Sequence, residues 1–171
     1  RGEWKQFMSH DPTAWCGAPC DDDFPVDRVR WTDTLYYANR LSERDGLSPC
    51  YDLSSCHGKP SEDYACEPME IDFSFDCEGW RLPTVIEWTV AAHAGDPKPS
   101  PCLGRDPYYE DSWYIFESCL DDVAWIGPNA AGTQRVATLC PNRWGLFDTL
   151  GNVYEWTWDP GGFVDIDSGP L

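Results

Sequence analysis

Apolar residues recur along this chain at two spacings, and each predicts a different element. Trp4, Phe7 and Met8 fall at i, i+3 and i+4, so Gly2–Ser9 reads as a short helix. Trp31, Leu35, Ala38 and Leu41 supply the buried stripe of a second helix over Thr32–Asp45, with Thr32 as N-cap, Asp33 in the first turn and Gly46 as the stop. A third helix is expected over Val85–Ala94, because Thr84 and Glu87 are spaced as a capping box and Gly95 follows as the stop. Only Thr84, Glu87, Thr89 and His93 are polar between 84 and 94, so this helix is expected to be largely enclosed by protein. His93 then reads as a surface or structural histidine rather than a ligand or base. Alternation predicts a short strand at Ile71–Phe75, and further strands are expected at Val123–Ile126, Gln134–Thr138 and Val153–Trp158. The rest is ordered loop. With no internal repeat and no dividing linker, residues 1–171 are expected to form one irregular, loop-rich α+β domain with two to three short helices and short antiparallel strands.

Composition narrows the function classes. The 171 residues carry 30 acidic and 12 basic side chains, a formal charge of −18, which disfavours nucleic acid and anionic membranes. Apolar residues at 42% and ten Trp exclude a disordered acidic tail. No apolar run approaches the roughly 18 residues of a membrane span. The run Asp21-Asp22-Asp23 reads as a solvated loop in preference to a cation site. Position 1 is Arg, not Met, and the acidic residues 161–171 close no strand, so a piece incomplete at both ends is expected.

Nine cysteines set the compartment. Cys16 and Cys20 have finger-like spacing, but no second close pair follows and His10, His57 and His93 are isolated, so disulfides are favoured over zinc or free thiols. A secreted, periplasmic or cell-surface protein is expected. Four cysteines at 50, 56, 66 and 77 allow three connectivities. The nested one, Cys50–Cys77 around Cys56–Cys66, would let Tyr51–Leu53 lie beside Ile71–Phe75. Cys16–Cys20 and Cys102–Cys119 complete the expected set and leave Cys140 single.

Three blocks, PVDRVRWTDTLYYANRLSERDGL (25–47), GWRLPTVIEWTVAAHAG (79–95) and PNRWGLFDTLGNVYEWTWD (141–159), together with the Asn129 segment before the last, resemble the formylglycine-generating enzyme family of sulfatase-modifying factors. The resemblance covers most of the chain between Gly2 and Asp159, and its cysteine-rich inserts are similar to those of a secreted bacterial subgroup. It implies a variant of the C-type-lectin-like fold. It also implies calcium held by the Asp148 and Glu155 side chains and the Gly151 and Val153 carbonyls. Two charged and two neutral oxygens suit Ca²⁺; the alternative is that both carboxylates satisfy backbone N–H groups in a tight turn. Asn152 is expected to brace that turn. Tyr154 stands where the enzymes carry a Trp lining the active cleft, and Val85, Ile86, Thr89, Val90 and His93 depart from the family's more charged helix.

Family catalysis is copper(I)-assisted oxidation of a substrate cysteine by O₂, and it needs a cysteine pair after an Arg-Gly-Gly-Ser-Trp-type motif. None of the nine cysteines occupies that place, so no catalytic residue is assigned. Copper is expected only if a C-terminal continuation supplies the pair. The competing expectation is a non-catalytic binding or structural module of the cell surface, with an extended peptide or protein as ligand and loop aromatics such as Tyr108, Tyr109 and Trp113 available for stacking. A hydrolase has no motif behind it.

Overall fold

The computed structural model describes residues 1–17, 20–67, 74, 76–97 and 120–159. Among the described residues the helices are α1 (Trp4–Phe7), α2 (Trp31–Arg44) and α3 (Val85–Ala92), with a further helical segment over 120–123. Trp4 and Met8 of the first apolar triplet are buried, and Trp4 stacks on Tyr37 of α2 at 5.1 Å between ring centroids.

The central helix α2 carries the core. Leu35 is fully buried and packs with Ala38, Cys50, Tyr51, Tyr64 and Cys66. Two polar residues inside the helix are buried as well, and each holds a neighbouring loop. Asp33 Oδ1 accepts the Ser61 N–H at 2.7 Å, and Ser42 Oγ accepts the Trp80 N–H at 2.8 Å. Asn39 pairs with both backbone groups of Tyr51 at 2.8 and 3.2 Å. The helix starts one residue earlier than expected. Arg30 occupies the N-cap without a side-chain cap bond, while the Thr32 hydroxyl donates to Tyr64 O at 3.0 Å. A tertiary partner has displaced Thr32 from the local capping role. At the other end Leu47 N–H reaches Ser42 O at 2.8 Å and Gly46 takes φ +72°, a Schellman stop.

Cystines staple the loop behind this helix. Cys50–Cys77 encloses Cys56–Cys66, and Cys16–Cys20 closes a separate small loop. Cys140 is an exposed free thiol. Cys102 and Cys119 lie outside the described residues, as do Tyr108, Tyr109, Trp113 and nearly all of Ile71–Phe75. Three cystines suit an oxidising, extracytoplasmic compartment. Among the described residues no helix is long and apolar enough to cross a membrane.

α3 begins on the expected capping box: Thr84 Oγ1 accepts from Glu87 N at 3.1 Å, and Glu87 Oε2 accepts from Thr84 N at 2.9 Å. It is not enclosed. Ile86 and Val90 are exposed, and no residue of α3 is buried. The apolar run therefore marks a helix lying at the edge of the core rather than inside it. The left-handed exit also comes one residue earlier than Gly95, at Ala94 with φ +52°. Gly95 follows at φ +75° for a second reason: a Cβ there would come within 2.9 Å of the Trp144 ring.

Among the described residues no strand forms; isolated bridges pair Cys16 with Thr133, His57 with Ala65, and Trp125 with Gly151, and Tyr51 makes a further bridge. At the expected strand Val123–Ile126, a helical turn ends at Val123 and only Trp125 makes a bridge. Gln134–Thr138 contains a turn at 136–137, with Ala137 at φ +56°, and Val153–Trp158 runs without a ladder. Their backbone groups bond to side chains and distant carbonyls instead. Gln134 N–H, for example, donates to Asn152 Oδ1 at 2.9 Å.

Candidate functional site

The last block is wrapped around α3 by a set of long-range bonds. Asn142 Nδ2 donates to the final helix carbonyls of Ala91 and Ala92 at 2.8 and 3.1 Å, while its Oδ1 accepts from Trp144 N and Leu146 N. The side chain caps the helix from 50 residues away and shapes the turn that carries it. At the helix start, Asp159 Oδ2 accepts Val85 N–H at 2.6 Å and Trp158 N–H reaches Pro83 O at 2.8 Å. The Trp31 indole donates to Thr157 O at 2.9 Å, and Trp158 stacks on Tyr51, which ties the block to the core.

Between these anchors the chain makes the turn 148–155. Asp148, Gly151 and Asn152 all adopt left-handed backbone, at φ +54°, +81° and +59°. Gly151 passes so close to the 125 peptide that a Cβ would sit 2.1 Å from Trp125 O, which only glycine allows. Asn152 N–H donates to that same carbonyl at 2.8 Å, and its side chain bridges Gln134 N and O. Asn152 braces the turn.

Asp148 and Glu155 both face a cleft of about 600 Å³ whose walls include Gly151 and Val153. Each carboxylate already has one oxygen in use. Asp148 Oδ2 accepts Ala137 N–H at 2.8 Å, and Glu155 Oε2 accepts the Trp88 indole N–H at 2.6 Å. Among the described residues no hydrogen bond is donated to the carbonyl of Gly151 or Val153. The donor chemistry fits a hard cation in kind, with two half-used carboxylates and two backbone carbonyls among the residues lining this cleft. No group of three or more His, Cys, Asp or Glu side chains placed to hold a metal occurs among the described residues.

A second cleft of about 880 Å³ adjoins the first and shares Trp125, Asn152, Val153, Tyr154 and Glu155 with it. Trp15, Trp125, Tyr154 and Trp156 line it together with Val26, Val29 and Ile126. Tyr154 is fully solvent-exposed at 106% and Trp15 at 67%, so large apolar rings face water here. Both rims are fixed. Buried Asp27 spends its two oxygens on the N–H groups of Ala14 and Trp15, each at 3.0 Å, and the Trp156 indole donates to Val29 O at 3.0 Å. Asp27 and Asn142 are positioning residues that periodicity does not reveal. The signal for Asn142 is its place in a Pro-Asn-Arg-Trp-Gly turn, and Asp27 gives none.

The other expected residues sit apart. His93 caps the C-terminus of α3 half-buried, and Cys140 lines neither cleft. Asp21 and Asp23 pair with Arg135, whose guanidinium lies over the Phe24 ring, and Asp22 pairs with Lys5. The acidic run is a surface ion-pair loop.

Comparisons with known proteins agree on one family. The chain is 28% identical over 166 residues to a protein described as chaperone protein LppX of Paenibacillus barcinonensis, covering 92% of this chain and 58% of that one. It is 34% identical over 94 residues to the formylglycine-generating enzyme of Mycobacterium tuberculosis, covering 46% of this chain and 27% of the enzyme. In structure it matches Treponema denticola variable protein 1 with a TM-score of 0.71 at 28% identity, over 96% of this chain and 61% of that one. The chain thus spans under two thirds of the length of these relatives. The sulfatase-modifying factor enzyme 1-like domain matches residues 4–162, and the chain belongs to that family.

Proposed function

We propose that this chain is a binding module of its family, secreted or displayed at the cell surface, which holds an extended peptide segment in the cleft between Trp15 and Trp156. One observation carries the reading: four aromatic side chains line an open cleft of about 880 Å³, with Tyr154 wholly exposed at its mouth. Exposed aromatics on a fixed frame are typical of recognition surfaces, because each ring contributes much contact area at little rotamer cost. The similarity to a protein described as a chaperone supports a role in holding polypeptide. The chain itself has no formylglycine-generating activity in this account, since its last cysteine, Cys140, precedes the GNVYEW block.

The test is calorimetric titration with a degenerate pool of blocked hexapeptides. Saturable binding is expected, weakened roughly tenfold or more by Tyr154→Ala, as for an aromatic anchor. Absence of binding by the folded wild-type chain overturns the reading.

Oxidation of a cysteine-bearing peptide is the second reading, favoured by the similarity to formylglycine-generating enzymes. Copper(I) bound to a thiolate pair would supply the oxidation chemistry, and the pair would have to come from sequence outside residues 1–171. Oxygen consumption by a longer chain that supplies the pair, with copper and a sulfatase peptide, would establish it and sink the binding-only account.

Calcium belongs to the same proposal, as a structural ion of the turn that shapes both clefts. Asp148 and Glu155 would supply charge, and Gly151 and Val153 carbonyl oxygen. A chelator should lower the melting temperature, by an amount set by mass action: about 2.7 kcal/mol is lost when an ion at a hundredfold excess over its dissociation constant is withdrawn. Asp148→Asn with Glu155→Gln should remove that response. A response that survives both substitutions would place the ion elsewhere.

A further inference from the structure

Arg28 stands out by its lack of a partner. Among the described residues every other lysine and arginine bonds to an acidic side chain or a carbonyl: Arg1 to Asp11, Lys5 to Asp22, Arg30 to Glu62 O, Arg40 to Glu43, Arg44 to Asp45, Lys59 to Glu62, Arg81 to Glu87, Arg135 to Asp21 and Asp23, and Arg143 to Asp96. In a chain with 30 acidic and 12 basic side chains, finding an acid is easy for a cation. Arg28 is exposed, lines the aromatic cleft, and has none.

Its backbone is unusual too. Arg28 takes φ +60°, a left-handed conformation that a long side chain rarely adopts. The neighbours impose it. Asp27 is buried and bonded to the peptides of Ala14 and Trp15, and the Val29 carbonyl is bonded to the Trp156 indole. The two residues that fix opposite rims of the cleft therefore hold the Arg28 backbone between them. Strain of this kind is tolerated where the surrounding structure over-determines it, and it clusters at binding sites.

No acid lining the cleft pairs with the guanidinium among the described residues, although Glu155 keeps one carboxylate oxygen free. Both oxygens of Asp27 are occupied by backbone N–H groups, and Glu155 is engaged by the Trp88 indole. We infer that Arg28 is the specificity determinant of this cleft, and that the segment bound there carries a carboxylate next to an apolar or aromatic side chain. The inference rests on the peptide-binding reading above and names the chemistry of its ligand. A guanidinium presents a planar fork of donors that matches a carboxylate, and the resulting charge-assisted bonds are among the stronger ones available. The net charge of −18 repels anions at a distance, but that repulsion is screened beyond about 8 Å at physiological salt. A ligand gains here only by seating its apolar part first and its carboxylate against Arg28.

The carboxylate can be an acidic side chain or a chain end, so three peptide pools separate the sources. One is blocked at both ends with glutamate fixed at a central position; the second is identical but has glutamine there; the third is the glutamine pool with a free C-terminal carboxylate. Calorimetry on the full chain should show the glutamate or the free-end pool binding about tenfold or more tightly than the blocked glutamine pool. Arg28→Gln should erase that preference, bringing the glutamate and free-end pools to the same affinity as the blocked glutamine pool, and Arg28→Lys should restore part of it. Arg28→Gly removes the charge while relaxing the left-handed residue, and should behave as Arg28→Gln. Equal affinity of the wild-type chain for all three pools overturns the role of Arg28 and leaves peptide binding standing. A preference that persists in Arg28→Gln or Arg28→Gly overturns it as well. Loss of all binding in the wild type overturns both proposals together.

Discussion

The half of the chain around α2 and the half that ends in the 141–159 block are held together by different physics. Around α2 the chain is covalently cross-linked, and Leu35, the largest fully buried side chain among the described residues, packs against two of the cystines' sulfur-bearing residues. Around α3 no residue of the helix is buried. Order there comes from single polar side chains, Asn142, Asn152, Asp148 and Asp159, each bonding to backbone far away in sequence. The first arrangement resists unfolding; the second fixes loop shape and leaves Tyr154, Trp156, Trp144, Ile86 and Val90 facing water. In the proposed reading the cross-linked core around α2 supplies stability, and the cleft between residues 26–29 and 152–156 supplies recognition, so a change in one should leave a measurable trace that the other lacks.

The sharpest way to break the contrast is to open the cross-linked half. Cys50–Cys77 spans 27 positions, so Cys50→Ser with Cys77→Ser should cost about 3.5 kcal/mol of loop-closure entropy. Thermal unfolding should shift markedly, with near-normal peptide affinity at low temperature wherever the chain remains folded. Gly151→Ala strikes the other half. Added strain at φ +81° and a clash with Trp125 O should cost about 2 kcal/mol, yet peptide affinity should fall more than stability does. A Gly151→Ala chain that loses stability and keeps full binding would refute the division of labour.

Acid offers a smaller probe of the α3 half. The Arg81 guanidinium, followed by the Thr84 N–H, holds the Glu87 carboxyl down from 4.5 to about 2. A depressed carboxyl contributes its stability in full above the unfolded value and loses it as pH falls from 4.5 toward 2. The pair is nearly half exposed, so solvent screening limits the effect to about 0.5 kcal/mol. Glu87→Gln should flatten that part of the pH–stability curve. The smallest expected effect is a gain: Ala94→Gly relieves the left-handed residue after α3 and should add about 0.5 kcal/mol by chemical denaturation.

The contrast also explains what could be read from the sequence. α2 and α3 announce themselves through apolar spacing and the Thr84–Glu87 box, Cys16–Cys20 follows from close spacing, and the nested Cys50–Cys77 and Cys56–Cys66 pairing is favoured among three connectivities because it would let Tyr51–Leu53 lie beside Ile71–Phe75. The GNVYEW block is recognisable as a family signature, and Tyr154 within it lies at both clefts. The expected strands at 123–126, 134–138 and 153–158 show no ladder among the described residues: pairing there stops at the single Trp125–Gly151 bridge, and other backbone groups bond to side chains such as Asn129 and Asn152. Bonds such as Asp27 to Trp15 or Asn142 to Ala91 join residues with no periodic relation, so periodicity does not foretell them. Exposure misleads in the same way: the apolar run of α3 reads as core but lies at the surface.

The central claim, that recognition lies at the 154–156 cleft and not on the cross-linked half, is tested most directly by site-specific photo-cross-linking. A photoreactive phenylalanine analogue is placed at Tyr154 in one sample and at Trp80, an exposed aromatic beside the Cys50–Cys77 cystine, in another. After illumination with the blocked hexapeptide pool, mass spectrometry should find peptide attached at position 154 and little or none at position 80. Equal labelling at both positions, or labelling at 80 alone, would contradict it.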